Sequence, residues 1–189
     1  MRKSIALGAA ALLFCVIVSA ANPADNAVVT SLQGDTIELT VPASALKLTL
    51  PKGGLAEINP TGSQSNPRYF NFADMDRGWV ISGWIEPSSA FKGLEKFWQG
   101  EFAAMKKSGF VPKEPPVPVA VGDWRALAYE FALPASAGTA INSHLRAELI
   151  KDGTWIDLHI SVTGDMPVAQ ARSEALALLK SIVVTKKGK

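Results

Sequence analysis

The stretch that decides the fold is residues 142–162, NSHLRAELIKDGTWIDLHISV. Its centre, Lys151-Asp152-Gly153-Thr154, carries the Asp-Gly pair that closes two-residue β-hairpins. Pairing Lys151 with Thr154 fixes the register. Ile150 then faces Trp155, Glu148 faces Asp157, Arg146 faces His159 and His144 faces Ser161, all on one side. Leu145, Ala147 and Leu149 share the other side with Ile156, Leu158, Ile160 and Val162. A three-residue bulged turn would set Arg146 against Leu158 and mix the two faces, so the pattern favours the tight turn.

Around the hairpin the chain reads as short strands and two amphipathic helices. Val28–Val41 is a hairpin turning at Gln33-Gly34-Asp35, and Leu46, Leu48 and Leu50 alternate along a further strand. Asn59–Asn66 is a polar loop. Trp79–Glu86 is a strand buried on both faces, with Trp79, Ile81 and Ile85 on one side and Val80 and Trp84 on the other. Pro87-Ser88-Ser89 opens a helix with a serine cap. Its stripe is Phe91, Leu94, Trp98, Phe102 and Met105, its last turn holds Lys106 and Lys107, and Gly109 ends it. The proline-rich segment Val111–Val121 leads to an edge strand. Trp124–Leu133 sets large residues opposite Ala126, Ala128 and Ala132, with Glu130 in a rim or salt-bridged position. After the loop Pro134–Ala140 and the central hairpin, Thr163-Gly164-Asp165 caps a last helix with Pro167 in its first turn. That helix is apolar along Val168, Ala171, Ala175, Leu178, Leu179 and Ile182, and Val183-Val184 makes a closing strand. Strands joined by short turns and interrupted by two helices imply an α+β fold, a central antiparallel sheet with amphipathic helices packed on it.

The N-terminus reads as an address. Arg2 and Lys3 precede an uncharged run from Ile5 to Val18, and small residues at Val18-Ser19-Ala20-Ala21 offer a cleavage point. Residues 1–21 are therefore expected to be a removed signal peptide. The run is shorter than the ~20 residues of a membrane span, so no retained anchor is expected, and the destination is the periplasm or the exterior. Residues 22–189 form one globular domain, with the hairpin 28–41 at its start and a short basic tail at 185–189. The only cysteine, Cys15, lies in the signal run with Phe14 before it, which disfavours a lipoprotein signal and leaves a mature chain without disulfides or thiolate ligands. Removing Arg2 and Lys3 lowers Lys+Arg from 19 to 17, against 17 Asp+Glu, so no basic stripe suggests nucleic acid.

The order of elements resembles the PsbP-like superfamily, which includes an extrinsic lumenal subunit of photosystem II, a Ran-GTPase-binding import factor and exported bacterial proteins. The resemblance spans Leu46 to Val184. It rests on the strand into Pro51-Lys52-Gly53-Gly54, the step Gly83-Trp84-Ile85-Glu86-Pro87-Ser88, the strands around Asp152-Gly153 and the closing segment Ala175–Val184. It implies an α/β/α sandwich and a non-enzymatic accessory role through docking to a larger protein or assembly.

The polar hairpin face is the one dense cluster of chemistry. His144, Arg146, Glu148, Trp155, Asp157 and His159 are the candidate binding residues, with Trp155 beside Ile150 as an interface anchor. Glu148 opposite Asp157 is unfavourable by up to ~1 kcal/mol unless a diagonal Arg146 or a bound cation compensates. Glu148, Asp157 and His159 are ligand types that zinc or manganese accepts; the plain alternative is a solvated face of weak ion pairs. Ser161, His144 and Asp157 contain the residue types of a hydrolase, but no Gly-x-Ser-x-Gly elbow occurs. Nor does any Walker loop, Gly-x-Gly-x-x-Gly, His-Glu-x-x-His or EF-hand loop. The expectation is an exported, non-enzymatic protein with no cofactor that docks an unidentified protein partner. The alternative is a small-ligand or divalent-metal-binding protein using the same face.

Overall fold

The structure, a computed structural model, describes residues 26–58, 67–107, 109, 112, 114–132, 141–164 and 166–188. The expected signal segment, 1–21, and the expected loops at 59–66 and 134–140 lie outside the described residues. The strands are β1 (Val29–Gln33), β2 (Thr36–Thr40), β3 (Leu46–Pro51), β4 (Ala56–Glu57), β5 (Tyr69–Asp74), β6 (Trp79–Pro87), β7 (Val117–Val121), β8 (Trp124–Ala132), β9 (Ile141–Lys151), β10 (Thr154–Gly164) and β11 (Val183–Lys186). The helices are α1 (Leu94–Lys107) and α2 (Val168–Ser181), with a 3-10 turn at Ser88–Ala90.

Two antiparallel sheets form where one was expected. The larger has the order β4-β5-β6-β10-β9-β8-β7, the smaller β1-β2-β3-β11. Alternation along Ile37, Leu39, Leu46, Leu48 and Leu50 buries one face of the small sheet. These side chains join one core with Leu145, Ala147, Leu149, Ile156, Leu158, Ile160 and Val162 of the large sheet and with Ala171, Ala175, Leu178 and Leu179 of α2. The fold is therefore layered: α1 lies on the polar face of the large sheet, and α2 and the small sheet share its apolar face.

The β9–β10 hairpin has the register read from the sequence, Lys151 opposite Thr154 through to Val162 opposite Ser143. Asp152 and Gly153 both have positive φ, 47° and 75°, as a type I′ turn requires. Proline-bearing β7 lies at the sheet edge, where a missing amide donor does no harm. Ala126 and Ala128 are buried on the α2 side. Glu130 is ion-paired with Arg172 of α2.

Three local expectations are corrected. The first helix starts at Leu94, because Phe91 is extended and Gly93 takes a φ of 103°; no serine side chain caps the 3-10 turn, whose N-cap is Pro87. Phe91 is therefore off the helix, and the side facing the sheet is Leu94, Phe97, Trp98, Glu101 and Met105, all partly buried, while Phe102 is exposed. No residue of α1 is fully buried, so it is not a core helix. Finally, Pro167 is itself the N-cap of α2, and among the described residues no side chain caps that helix; Asp165 lies outside them.

Candidate functional site

The polar face of the large sheet is assembled by register. Across β6 and β10, Trp84 lies opposite Asp157, Glu86 opposite Trp155 and Ser82 opposite His159. Across β8 and β9, Tyr129 lies opposite His144, Leu127 opposite Arg146 and Arg125 opposite Glu148. All six sequence-derived candidates thus stand on one face, with aromatic residues from both flanking strands.

That face is covered rather than solvated. Arg146, Glu148 and Asp157 are 5%, 3% and 2% exposed, and His144 is also buried, while His159 and Trp155 are partly buried. The cover is α1 and the segment before it. Phe97 and Phe91 pack on Trp155 with centroids 6.1 and 5.4 Å away, and Trp98 meets Tyr129 at 5.3 Å.

Arg146 is the hub. Its Nη2 donates to Asp157 Oδ2 at 2.5 Å and lies 3.8 Å from Glu101 Oε1 on α1. Its guanidinium sits 5.4 Å from the Trp84 ring centre and 4.9 Å from that of Phe97, within the range of cation–π attraction. Burial opposes its charge, but Asp157 and Glu101 outweigh that and hold it cationic.

Glu148 and Asp157 form a coupled carboxyl pair. Burial, and then the charge of Asp157, push the Glu148 carboxyl past neutrality; burial also raises Asp157, against the opposing pull of Arg146. Trp155 Nε1 donates to Glu148 Oε2. The remaining oxygens, Glu148 Oε1 and Asp157 Oδ1, are buried with no donor in reach. Two carboxylates cannot donate to each other, so one shared proton is the arrangement that satisfies both.

Next to this pair runs a row of rings from α1 into the sheet. Tyr129 stacks on His144 at 5.2 Å and 5°, and His144 on His159 at 5.1 Å and 15°. His144 Nδ1 and His159 Nε2 are 2.9 Å apart, so one ring donates and the other accepts. Burial lowers the pKa of His144 to about 4. Burial, His144 and Arg146 lower that of His159 well below its usual value. Both rings are neutral at pH 7.

Between the 3-10 turn, α1 and the sheet lies a cavity of about 410 Å³. Trp84, Phe97 and Trp155 wall it, Glu86, Glu101 and Asp157 supply carboxyls, and among the described residues Arg146 is the one cation of the lining. Burial raises the Glu86 pKa, opposed by Arg68, whose Nε lies 3.6 Å from Glu86 Oε2.

The metal candidates Glu148, Asp157 and His159 do not converge: each is bonded to a different partner, Trp155, Arg146 and His144. Among the described residues no group of three or more His, Cys, Asp or Glu is placed to hold a metal ion. Arg146 occupies the position of the compensating cation. Trp155, read as an interface anchor, is partly buried and walls the cavity, while its neighbour Ile150 is 51% exposed. The sequence reading missed Trp84, Glu86, Phe97 and Glu101 as site residues. The available signals were the alternation that sends Trp84 and Glu86 to one side of β6 and the i, i+4 spacing of Phe97 and Glu101 on α1.

No family model matches the chain, and no curated protein matches it by sequence. Among solved structures the chain is similar to the Saccharomyces cerevisiae Ran-binding protein Mog1p, with a TM-score of 0.46 and 10% identity over 81% of this chain and 96% of that one. A variant of protein Mog1 gives 0.46 and 10% over 80% and 97%. A Bacteroides thetaiotaomicron protein gives 0.43 and 11% over 77% of this chain and 47% of its own.

Proposed function

We propose that this is a non-catalytic binding protein that docks a partner protein by taking one of its basic side chains into the cavity beneath α1. The observation that carries the reading is the lining: three aromatic walls, and three carboxyls against one guanidinium. Such a box attracts an ammonium or guanidinium by cation–π contact and charge-assisted hydrogen bonds. Arg146, sitting between Trp84 and Phe97, is an internal example of the chemistry. Among the described residues the lining holds no serine, cysteine, lysine or histidine to act as a nucleophile or proton shuttle. Asp157 is already engaged by Arg146. The half-exposed Ile150, opposite Trp155 in the β9–β10 register, adds apolar surface beside this lining residue, which suits a macromolecular partner better than a lone amine.

Two further parts belong to the proposal. Residues 1–21 direct export and are removed, leaving 22–189 as the working domain in the periplasm or outside the cell. The element order from Leu46 to Val184 supports a place in the PsbP-like superfamily.

The test is an array of twelve-residue peptides with randomised flanks and a central arginine, lysine, glutamine or glutamate, probed with the full mature chain and with Glu101→Gln and Glu86→Gln. Binding concentrated on basic centres and weakened in both variants supports the reading. Binding indifferent to the central residue overturns it. Free alkylamines that bind as tightly as the peptides would move the reading to a small-ligand protein.

A further inference from the structure

We propose that docking at this cavity is coupled to release of a proton from Asp157, the second that the Glu148–Asp157 pair takes up below neutral pH, so that the site grips a cationic guest at neutral pH and loses it on acidification. The inference rests on the docking reading of the previous subsection.

The geometry comes first. Glu148 and Asp157 are directly opposite in the β9–β10 register and both almost fully buried. Each has one oxygen bonded, to Trp155 and to Arg146 respectively, and one buried oxygen without a donor. Asp157 alone of the two lines the cavity. A guest cation and a proton therefore compete for the same carboxyl, and by linkage each weakens the hold of the other.

The charged and titratable neighbours set the pH range. On the same sheet face stand Arg146 and His144 from β9, His159 from β10, Arg125 and Tyr129 from β8, and Glu86 from β6 with Arg68 beside it. Glu101 faces them from α1. Arg146 remains cationic. Both histidines are neutral until the medium is strongly acid, and Tyr129 is held protonated by burial. Asp157, raised by burial to about 6, is therefore the buried cavity group that changes charge between mildly acid and neutral pH. When Asp157 takes a proton, the cavity loses the most deeply buried of its three carboxylate charges. Affinity then falls with the unprotonated fraction, so Kd rises by at most about tenfold per pH unit below the range in which Asp157 protonates.

The experiment is calorimetric titration of the full mature chain with a twelve-residue peptide of glycine and serine around one arginine. It is run at pH 5.5 and 7.5 in two buffers of different ionisation enthalpy. Supporting results are net proton release at pH 5.5, little at pH 7.5, and weaker binding at pH 5.5. In Glu148→Gln the side-chain amide donates permanently to Asp157, so both the release and the pH dependence of Kd should shrink. Binding without proton release at either pH overturns this inference and leaves the docking reading standing. No binding at either pH overturns both. Carboxyl carbon-13 titration of the unbound protein adds a check that needs no guest: Glu148 and Asp157 both fully ionised at pH 7 would also overturn the shared proton.

Discussion

Glu148→Gln should make the protein more stable at pH 7, although it removes a charged group from the centre of a hydrogen-bonded network. The glutamine carbonyl can accept from Trp155 Nε1 as Glu148 Oε2 does, and its amide can donate to the orphaned Asp157 Oδ1. No hydrogen bond is lost, and two buried oxygens stop depending on a borrowed proton. The magnitude follows from linkage. The unfolded chain releases the Glu148 proton near 4.5, whereas burial and the facing Asp157 raise the folded value past neutrality. A carboxyl raised in this way contributes its full stability below 4.5 and loses it as pH rises through the folded pKa. Each unit of that window costs about 1.4 kcal/mol, so the wild type has lost about 3 kcal/mol by pH 7 relative to pH 4.5. Glutamine does not titrate and escapes that loss.

Urea unfolding followed by tryptophan fluorescence, from pH 4.5 to 8, measures the effect. Glu148→Gln should exceed the wild type by about 2–3 kcal/mol at pH 7, a midpoint shift of about 1 M or more in urea, and the gap should close toward pH 4.5. Glu148→Ala is the control. It leaves Trp155 Nε1 and Asp157 Oδ1 without partners and should lose about 1–3 kcal/mol for each. A glutamine variant no more stable than the wild type at pH 7, or a gap independent of pH, would refute the shared-proton argument.

His144 carries the acid limb. Its ring pKa is lowered from 6.5 to about 4, so its stabilising effect is complete above 6.5 and is lost as pH falls through about 4. The total is about 3 kcal/mol, and His144→Phe should flatten this part of an unfolding-midpoint-against-pH curve; an unchanged slope between pH 6.5 and 4 would count against it. Arg146→Met leaves Asp157 buried without its partner and should lose about 3–5 kcal/mol, most of it recovered by adding Asp157→Leu; additive losses in that double-mutant cycle would show that the pair is not coupled. At Gly83 a β-carbon would lie 2.1 Å from the Asp157 carbonyl oxygen and 2.8 Å from Phe70 Cζ. Gly83→Ala should therefore cost about 2–3 kcal/mol by overpacking, lowering Tm by about 5–10 °C, and an unaltered melt would show that β6 and β10 can part without penalty.

Much of this architecture was legible because local chemistry dictates it. Asp152-Gly153 admits the positive φ values that a two-residue reversal needs, and the reversal fixes every opposition along β9 and β10. From there all six candidate side chains fall on one face without any tertiary information. The closing strand at Val183-Val184, the proline edge strand and the apolar side of α2 were legible for the same reason. What local chemistry does not encode is which strands become neighbours. Alternation in Leu46, Leu48 and Leu50 says strand, but that β3 pairs with β11, across most of the chain, depends on the shape of the whole core.

The least legible feature was the cover over the charged face. Alternation separates polar from apolar, and the default is that polar means wet. Here the same side of the sheet also carries Trp84, Leu127, Tyr129 and Phe131, bulk that a solvated face has no use for. Read together, charges and rings on one side mean a polar interior that something must close, and α1, with Phe97, Trp98 and Glu101 on one flank, is built to close it. A helix that closes only partly, with no side chain fully buried, is a poor source of stability. An apolar floor would have held it more firmly, since buried ion pairs are often no better than well-packed hydrophobes. Arg146, Asp157 and Glu148 beneath a half-seated helix fit the cationic guest proposed above, as a well-packed apolar floor would not.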